Sequence, residues 1–348
     1  MIATDPSRVR RVLILKPSSL GDVVTAVPVL RALRRQHPEA HITWMLSTTC
    51  APVLAHDSDL DEVLLFDRKR LGRCWRSPAA AGELARFLLS LRRGRYDWVL
   101  DLQGLLRSGI FSWVTRSGLR AGFADAREAA WLLYTHRVRT PVPHTVDRNL
   151  ALAAAVGLDA RGQDMTLQVS PAAREGAAAL LAEHGLGQKR FMVAVPPTRW
   201  ATKQYPVRHW RAVVGALARR LPVVLLGSYS ERALCAAVAE GLGSGVIDLS
   251  GRTDAAHLVA MIAAGAAVVC CDSAAKFIAP AVGVDVVTLI GPTRPERTGA
   301  YLRGTNLVSD VPCQGCLRRR CEHVTCMQSI EPAAVVAAVT AALDAGGF

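Results

Sequence analysis

The sequence predicts an α/β chain of two doubly wound parallel sheets, and three observations carry that reading. Short apolar runs of the kind that parallel sheets bury alternate with amphipathic helical stretches. The alternation fades through residues 142–171 and then resumes. At 348 residues, 51% of them hydrophobic, the chain is long enough for two cores of ordinary size.

In chain order, the first strand is read over residues 12–16, followed by a helix to residue 35, with further strands at 40–46 and 98–102. Pro28 falls inside the first helix, where its missing N–H predicts a kink or a lost hydrogen bond that tertiary contacts tolerate. Strands return at 191–195, 222–226, 245–249, 266–271 and 285–290, and a helix over 332–345 closes the chain. The junction is expected between residues 159 and 187, giving domains 1–170 and 171–348 that face each other across a cleft. The longest apolar run, 258–271, is shorter than the roughly 20 residues of a membrane span. It reads as a helix, a turn at Gly265 and a buried strand.

A formal charge of +13 favours anionic partners. Arginines at 31, 34, 35, 92, 93, 95 and 318–320 are scattered, which predicts a basic surface on a folded body. Few aromatics stand beside basic residues, which argues against nucleic acid. The N-terminal stretch is polar and lacks the apolar segment of a signal peptide, so a cytosolic protein without disulfides is expected.

Ligands of open α/β sheets collect beyond the carboxyl ends of the strands, and Asp22 falls there, after a turn of Ser18, Ser19, Leu20 and Gly21. It is either a helix cap or a base. "TRWATK" (198–203) follows the first strand of the second half, where its hydroxyl, guanidinium and ammonium read as a diphosphate site or a basic loop. Glu231 follows another strand, as a ribose-binding acid or a first-turn acid. Cys313, Cys316, Cys321 and Cys326, with His323 among them, leave both a compact zinc site and a local structural role open. Cys270 and Cys271 read as packing residues, and Cys50 and Cys74 have no histidine near in sequence. Walker, dinucleotide and serine-elbow motifs are missing from their strand contexts.

"KPSSLGD" followed by "VPVLRALRR" resembles the N-terminal signature of glycosyltransferase family 9, the bacterial lipopolysaccharide heptosyltransferases. "YDWVLDLQGLLRSG" looks like its second N-domain motif, and "AREAAWLLY" is similar to a stretch in the heptosyltransferase I branch. "PPTRWATKQYP", "LLGSYSE", "DLSGRT", "CDSAAKFIAPAVGV" and "GPTRPERTGAY" follow in the family's order and spacing.

The resemblance implies two Rossmann-like domains in the GT-B arrangement, with the acceptor in the first and the nucleotide sugar in the second. It implies Asp22 as general base and Thr198, Arg199, Lys203, Glu231, Thr253, Asp272 and Ser273 on the donor. Lys16, Ser18, Ser19, Gln103, Arg107 and Arg127 fall to the acceptor. Where the family pattern has a glycine and a histidine, this chain has Ala274 and Phe277; Arg294 stands where an acid is usual. Lys276 is extra to the pattern and reads as replacement charge or as a solvent-facing lysine.

The implied activity is inverting transfer of heptose from ADP-heptose to the Kdo region of a lipid A precursor, at the cytosolic face of the inner membrane. An ADP-sugar is then co-substrate, an anionic glycolipid the acceptor, and no metal cofactor is required. The departures favour two rivals: a family 9 transferase using another nucleotide sugar or acceptor, or a degenerate member that binds without turnover.

Overall fold

The structure, a computed structural model, describes residues 9–73, 75–187 and 190–346. Cys74 and the start of the polar N-terminal stretch lie outside the described residues. The chain divides into two compact units, Met1–Met165 and Thr166–Phe348. The Leu167 N–H donates to the Ala281 carbonyl, so the stretch before the Pro171–Glu183 helix is already held by the second unit.

In the first unit, β1 (Arg11–Leu15), β2 (His41–Ser47), β3 (Glu62–Phe66), β4 (Trp98–Asp101), β5 (Leu119–Phe123) and β6 (His136–Val138) form one parallel sheet. Its order is β3-β2-β1-β4-β5-β6. The second unit contains β7 (Met192–Val195), β8 (Val223–Leu225), β9 (Val246–Asp248), β10 (Val268–Cys271), β11 (Val286–Ile290) and β12 (Gly304–Val308). Its order is β12-β11-β10-β7-β8-β9, all parallel. Counted from each unit's own first strand, the two orders are the same, with the dinucleotide-fold reversal between strands one and four.

The central strands are continuous apolar runs because helices cover both their faces. Val12, Leu13, Ile14 and Leu15 are all fully buried. β3, β6 and β12 escape the sequence reading because they are edge strands with half-exposed side chains. β5 escapes it because Arg120 and Gly122 interrupt its apolar pattern.

The expected first helix is two helices, Leu20–Val24 and Val27–Gln36. Pro28 sits in the opening turn of the second, where no intrahelical bond asks for its N–H. The run at 258–271 resolves into the Ala255–Ala264 helix, Gly265 and β10. Among the described residues no helix is long and apolar enough to cross a membrane.

Candidate active site

In the first unit, β1 delivers Asp22 to the first turn of the Leu20–Val24 helix. Asp22 Oδ2 accepts from the Ser19 N–H at 3.0 Å and from Ser19 Oγ at 2.6 Å, while the Val23 N–H reaches the Ser19 carbonyl. Asp22 is therefore the acid of a capping box, half-buried at the carboxyl end of β1. The Ser18–Ser19 peptide leading into it is cis. Lys16, 7% exposed, sends its ammonium across to the Leu102 carbonyl at 2.6 Å, tying the ends of β1 and β4 together.

Asp101 ends β4 and is fully buried. Its Oδ1 accepts from the Gln103 and Gly104 N–H groups at 2.9 and 3.1 Å, and its Oδ2 from the Tyr134 hydroxyl at 2.7 Å. Burial pushes its carboxyl above the usual range, against those hydrogen bonds. Tyr134 reaches it only because Gly122 has no side chain: a Cβ there would lie 2.3 Å from the Tyr134 ring. Gln103 joins this cluster through its backbone. Arg127 and Arg107 are exposed; the Arg127 N–H holds the Gly104 carbonyl, and the Arg107 guanidinium lies 5.8 Å from the Phe66 ring centroid.

The second unit gathers cations at the corresponding place. Asp272, next after β10, is paired with Lys276 through Oδ1 and with Lys203 through Oδ2 at 2.7 Å. Thr293 Oγ1 also donates to Oδ2, at 2.6 Å, and Thr198 Oγ1 donates to the Asp272 carbonyl at 3.3 Å. Burial alone would raise the Asp272 carboxyl, but the Lys276 and Lys203 charges and hydrogen bonds outweigh it and hold the group down at about 2. Lys203 Nζ stands 4.4 Å from the Trp200 ring centroid, and the Arg319 guanidinium 4.6 Å from it.

Lys276 corrects the solvent-facing alternative: it is 2% exposed, because every residue of the short Ala275–Ala281 helix is buried. Phe277 is buried as well, with its ring centroid 4.7 Å from Lys276 Nζ. Ala274 caps this helix at φ −64°, a backbone region open to any residue. Ser273 Oγ is buried beside the Cys270 thiol.

Glu231 is placed apart from this hydrogen-bonded group. Its carboxylate accepts from the Ser228 N–H and hydroxyl, both at 2.7 Å, in a second capping box. Thr253 is half-buried and Arg199 exposed.

The cysteine-rich segment fastens to the cation cluster. Thr202 Oγ1 donates to the Arg318 carbonyl, Gln314 Nε2 to the Thr293 carbonyl, and Arg294 Nε to the Gly315 carbonyl. Burial, with the neighbouring Cys313, Cys316 and Cys321, pushes the Cys326 thiol up to about 11. Among the described residues no three His, Cys, Asp or Glu side chains are grouped to hold a metal, so the zinc alternative gains no support.

Sequence reading missed Asp101, Thr293 and Trp200 as members of these clusters. Thr293 and Trp200 lie inside motifs already quoted, and Asp101 stands at the end of a recognised strand. Only the fold shows what each touches.

Two parallel sheets of identical order, each with its polar cluster past the carboxyl ends of strands one and four, give the two-domain α/β fold of GT-B type. The chain belongs to glycosyltransferase family 9 (heptosyltransferase), whose model matches residues 84–326. It is 30% identical over 332 residues to lipopolysaccharide heptosyltransferase 1 of Pseudomonas aeruginosa, covering 90% of this chain and 88% of that one.

Among solved structures, a family 9 glycosyltransferase from Veillonella parvula superposes with a TM-score of 0.83 at 20% identity, covering 99% of each chain. Escherichia coli heptosyltransferase WaaC with ADP-2-deoxy-2-fluoro heptose gives 0.73 at 23% identity, covering 93% of this chain and 97% of that one. This chain is thus a glycosyltransferase of the heptosyltransferase family.

Proposed function

We propose that the protein moves heptose from ADP-heptose to the Kdo region of the lipopolysaccharide inner core, with inversion at the anomeric carbon. The observation that carries the donor half is the Lys203–Asp272–Lys276 group. Two ammonium ions share one carboxylate, which leaves a net positive charge for a diphosphate at the carboxyl edge of the sheet. The solved WaaC relative, which holds an ADP-heptose analogue, supports the nucleotide and the sugar.

In this reading the acceptor hydroxyl oxygen attacks the anomeric carbon and its proton passes to the Asp22 carboxylate. The bond from that carbon to the ADP oxygen breaks, and the electron pair leaves on the diphosphate. Lys203, with Thr198, Arg199, Ser273 and the N–H groups at Ala274, balances the charge that accumulates, so no metal is required. Glu231 takes the ribose and Thr253 lies near the base. Lys16, Ser18, Ser19, Gln103, Arg107 and Arg127 meet the carboxylates and phosphates of the inner core. The protein then works in the cytosol, against the inner membrane that carries its acceptor.

One observation favours another nucleotide sugar: Phe277 presents a buried ring where the family pattern has a hydrogen-bonding histidine. A donor screen against Kdo-bearing lipid A, read by mass spectrometry, separates the readings. A heptose-sized mass increment from ADP-heptose is expected. An increment only from another donor establishes the altered-donor reading, and nucleotide-sugar binding without product establishes a binder.

A further inference from the structure

The Leu106–Thr115 helix is amphipathic in reverse. It buries Ser108, Gly109, Ser112 and Thr115 beside Phe111, and turns Leu106, Ile110 and Trp113 outward at 40%, 39% and 57% exposure. These three stand at i, i+4 and i+7, so they form one stripe. Water does not select the outward stripe, because small and polar residues share with Phe111 and Val114 the side that the core normally claims.

The reversal has a local cause. Ser108 Oγ accepts from the Leu105 N–H at the helix start. Gly109 lets the Ala130–Leu133 turn press against the helix: a Cβ on it would come within 3.2 Å of the Ala130 carbonyl oxygen and of Leu133 Cδ1. That turn adds a further outward apolar side chain, Leu132, at 57% exposure.

The charges around the stripe are mostly positive. Arg107 and Arg116 flank it on its own segment, Arg127 precedes the turn, and Arg137 lies 4.9 Å from the Trp131 ring centroid. Of the two acids in this stretch, Glu128 is engaged by the Leu106 N–H at the helix start and Asp125 is paired with Arg148. Leucine and isoleucine suit the acyl boundary of a bilayer, tryptophan its headgroup level, and arginine its anionic lipids. A second copy of the chain is the poorer occupant, since two-fold pairing would set this arginine-rich rim against itself.

We propose that this face seats the protein on an anionic bilayer surface. The inference deepens the function proposed above and rests on it, because the same helix carries Arg107 at its start and so brings the acceptor-binding edge to the membrane that holds the acceptor. Apolar side chains supply depth and the arginines supply the preference for acidic headgroups.

The test uses the full chain and its Ile110→Ser/Trp113→Ser variant. Both positions are exposed, so the fold is expected to survive. Co-sedimentation with vesicles of phosphatidylethanolamine and phosphatidylglycerol is expected to fall at least about tenfold in the variant. Vesicles of phosphatidylcholine alone should bind the wild type more weakly than the anionic ones. Transfer to a deacylated, water-soluble acceptor should stay within about twofold of wild type, while transfer to vesicle-embedded acceptor drops.

Equal vesicle binding by the two proteins overturns the proposal. So does a dimer, seen by analytical ultracentrifugation, that the variant dissociates without any change in vesicle binding. If vesicle binding falls as expected but the wild type glycosylates neither acceptor, the seat stands and the proposed transfer reaction fails.

Discussion

The fourth strand of each unit leads into an acid, Asp101 at the end of β4 and Asp272 just past β10, at corresponding places in the same strand order. The first is buried among neutral donors and its carboxyl is raised; the second lies between two ammonium groups and is lowered to about 2. The fold supplies the address and the neighbours decide the charge. Asp101 braces the turn that carries Gln103 and Gly104, whereas Asp272 organises a positive surface. The division of labour proposed for the two units follows from this difference as much as from any motif.

The largest expected effect separates chemistry from donor holding. Asp22→Asn keeps an oxygen for the Ser19 donors but cannot take a proton. Turnover should fall by about 10²–10⁴-fold. Affinity for ADP, a property assigned to the other unit, should change by no more than a few fold in calorimetry. Wild-type turnover in this variant would leave Asp22 as a cap alone.

One substitution at the two corresponding acids tests the comparison directly. Asp272→Asn strands Lys276, 2% exposed, without its counter-charge and should cost about 3–5 kcal/mol in urea unfolding. Asp101→Asn retains an acceptor for the two N–H groups and a partner for the Tyr134 hydroxyl, so under about 1 kcal/mol is expected. Equal costs would mean that the charge difference has no energetic weight.

Acid titration should reveal the same contrast with opposite signs. The lowered Asp272 contributes stability that is present above the unfolded carboxylate value, 3.8, and is lost as pH falls toward about 2; the amount is about 2 kcal/mol. The raised Asp101 works the other way: its contribution is full below 3.8 and is lost as pH rises through its folded value. Asp272→Asn should therefore flatten the acid limb of the stability profile, and Asp101→Asn should steepen it. Unfolding curves collected across the acid range decide this.

A separate effect is expected on donor affinity. Lys203→Ala removes one charge-assisted contact and should weaken ADP binding by about 1.5–3 kcal/mol. Unchanged affinity would detach Lys203 from the donor.

The sequence revealed what depends on local pattern. The central strands announced themselves by apolar runs and Asp22 by its place after the first strand, whereas Lys203 was singled out only through the family resemblance of its motif. Edge strands did not, because half-exposed residues carry no continuous signal. Lys276 was the instructive failure. A lysine in a first helical turn ordinarily meets water, yet its spacing of four from Asp272 was the available clue to an ion pair. That the helix bearing it is buried on every side, and that Thr293 completes the group across 21 residues, are tertiary facts. The reversed helix was equally hidden: the sequence shows its stripe but not which side faces the core.

The junction between Met165 and Thr166 has a practical meaning. The second unit has its own closed sequence of strands and its own core, in which Trp210, Val214, Val269, Leu289 and Val339 pack together. A chain started at Thr166 therefore carries every element of that sheet and is expected to fold as a separate module. Such a half-molecule has the lysines but no Asp22. With the donor site proposed above, it would be a receptor for nucleotides freed from the reaction, in which recognition of the leaving group is measured without the sugar ever being transferred.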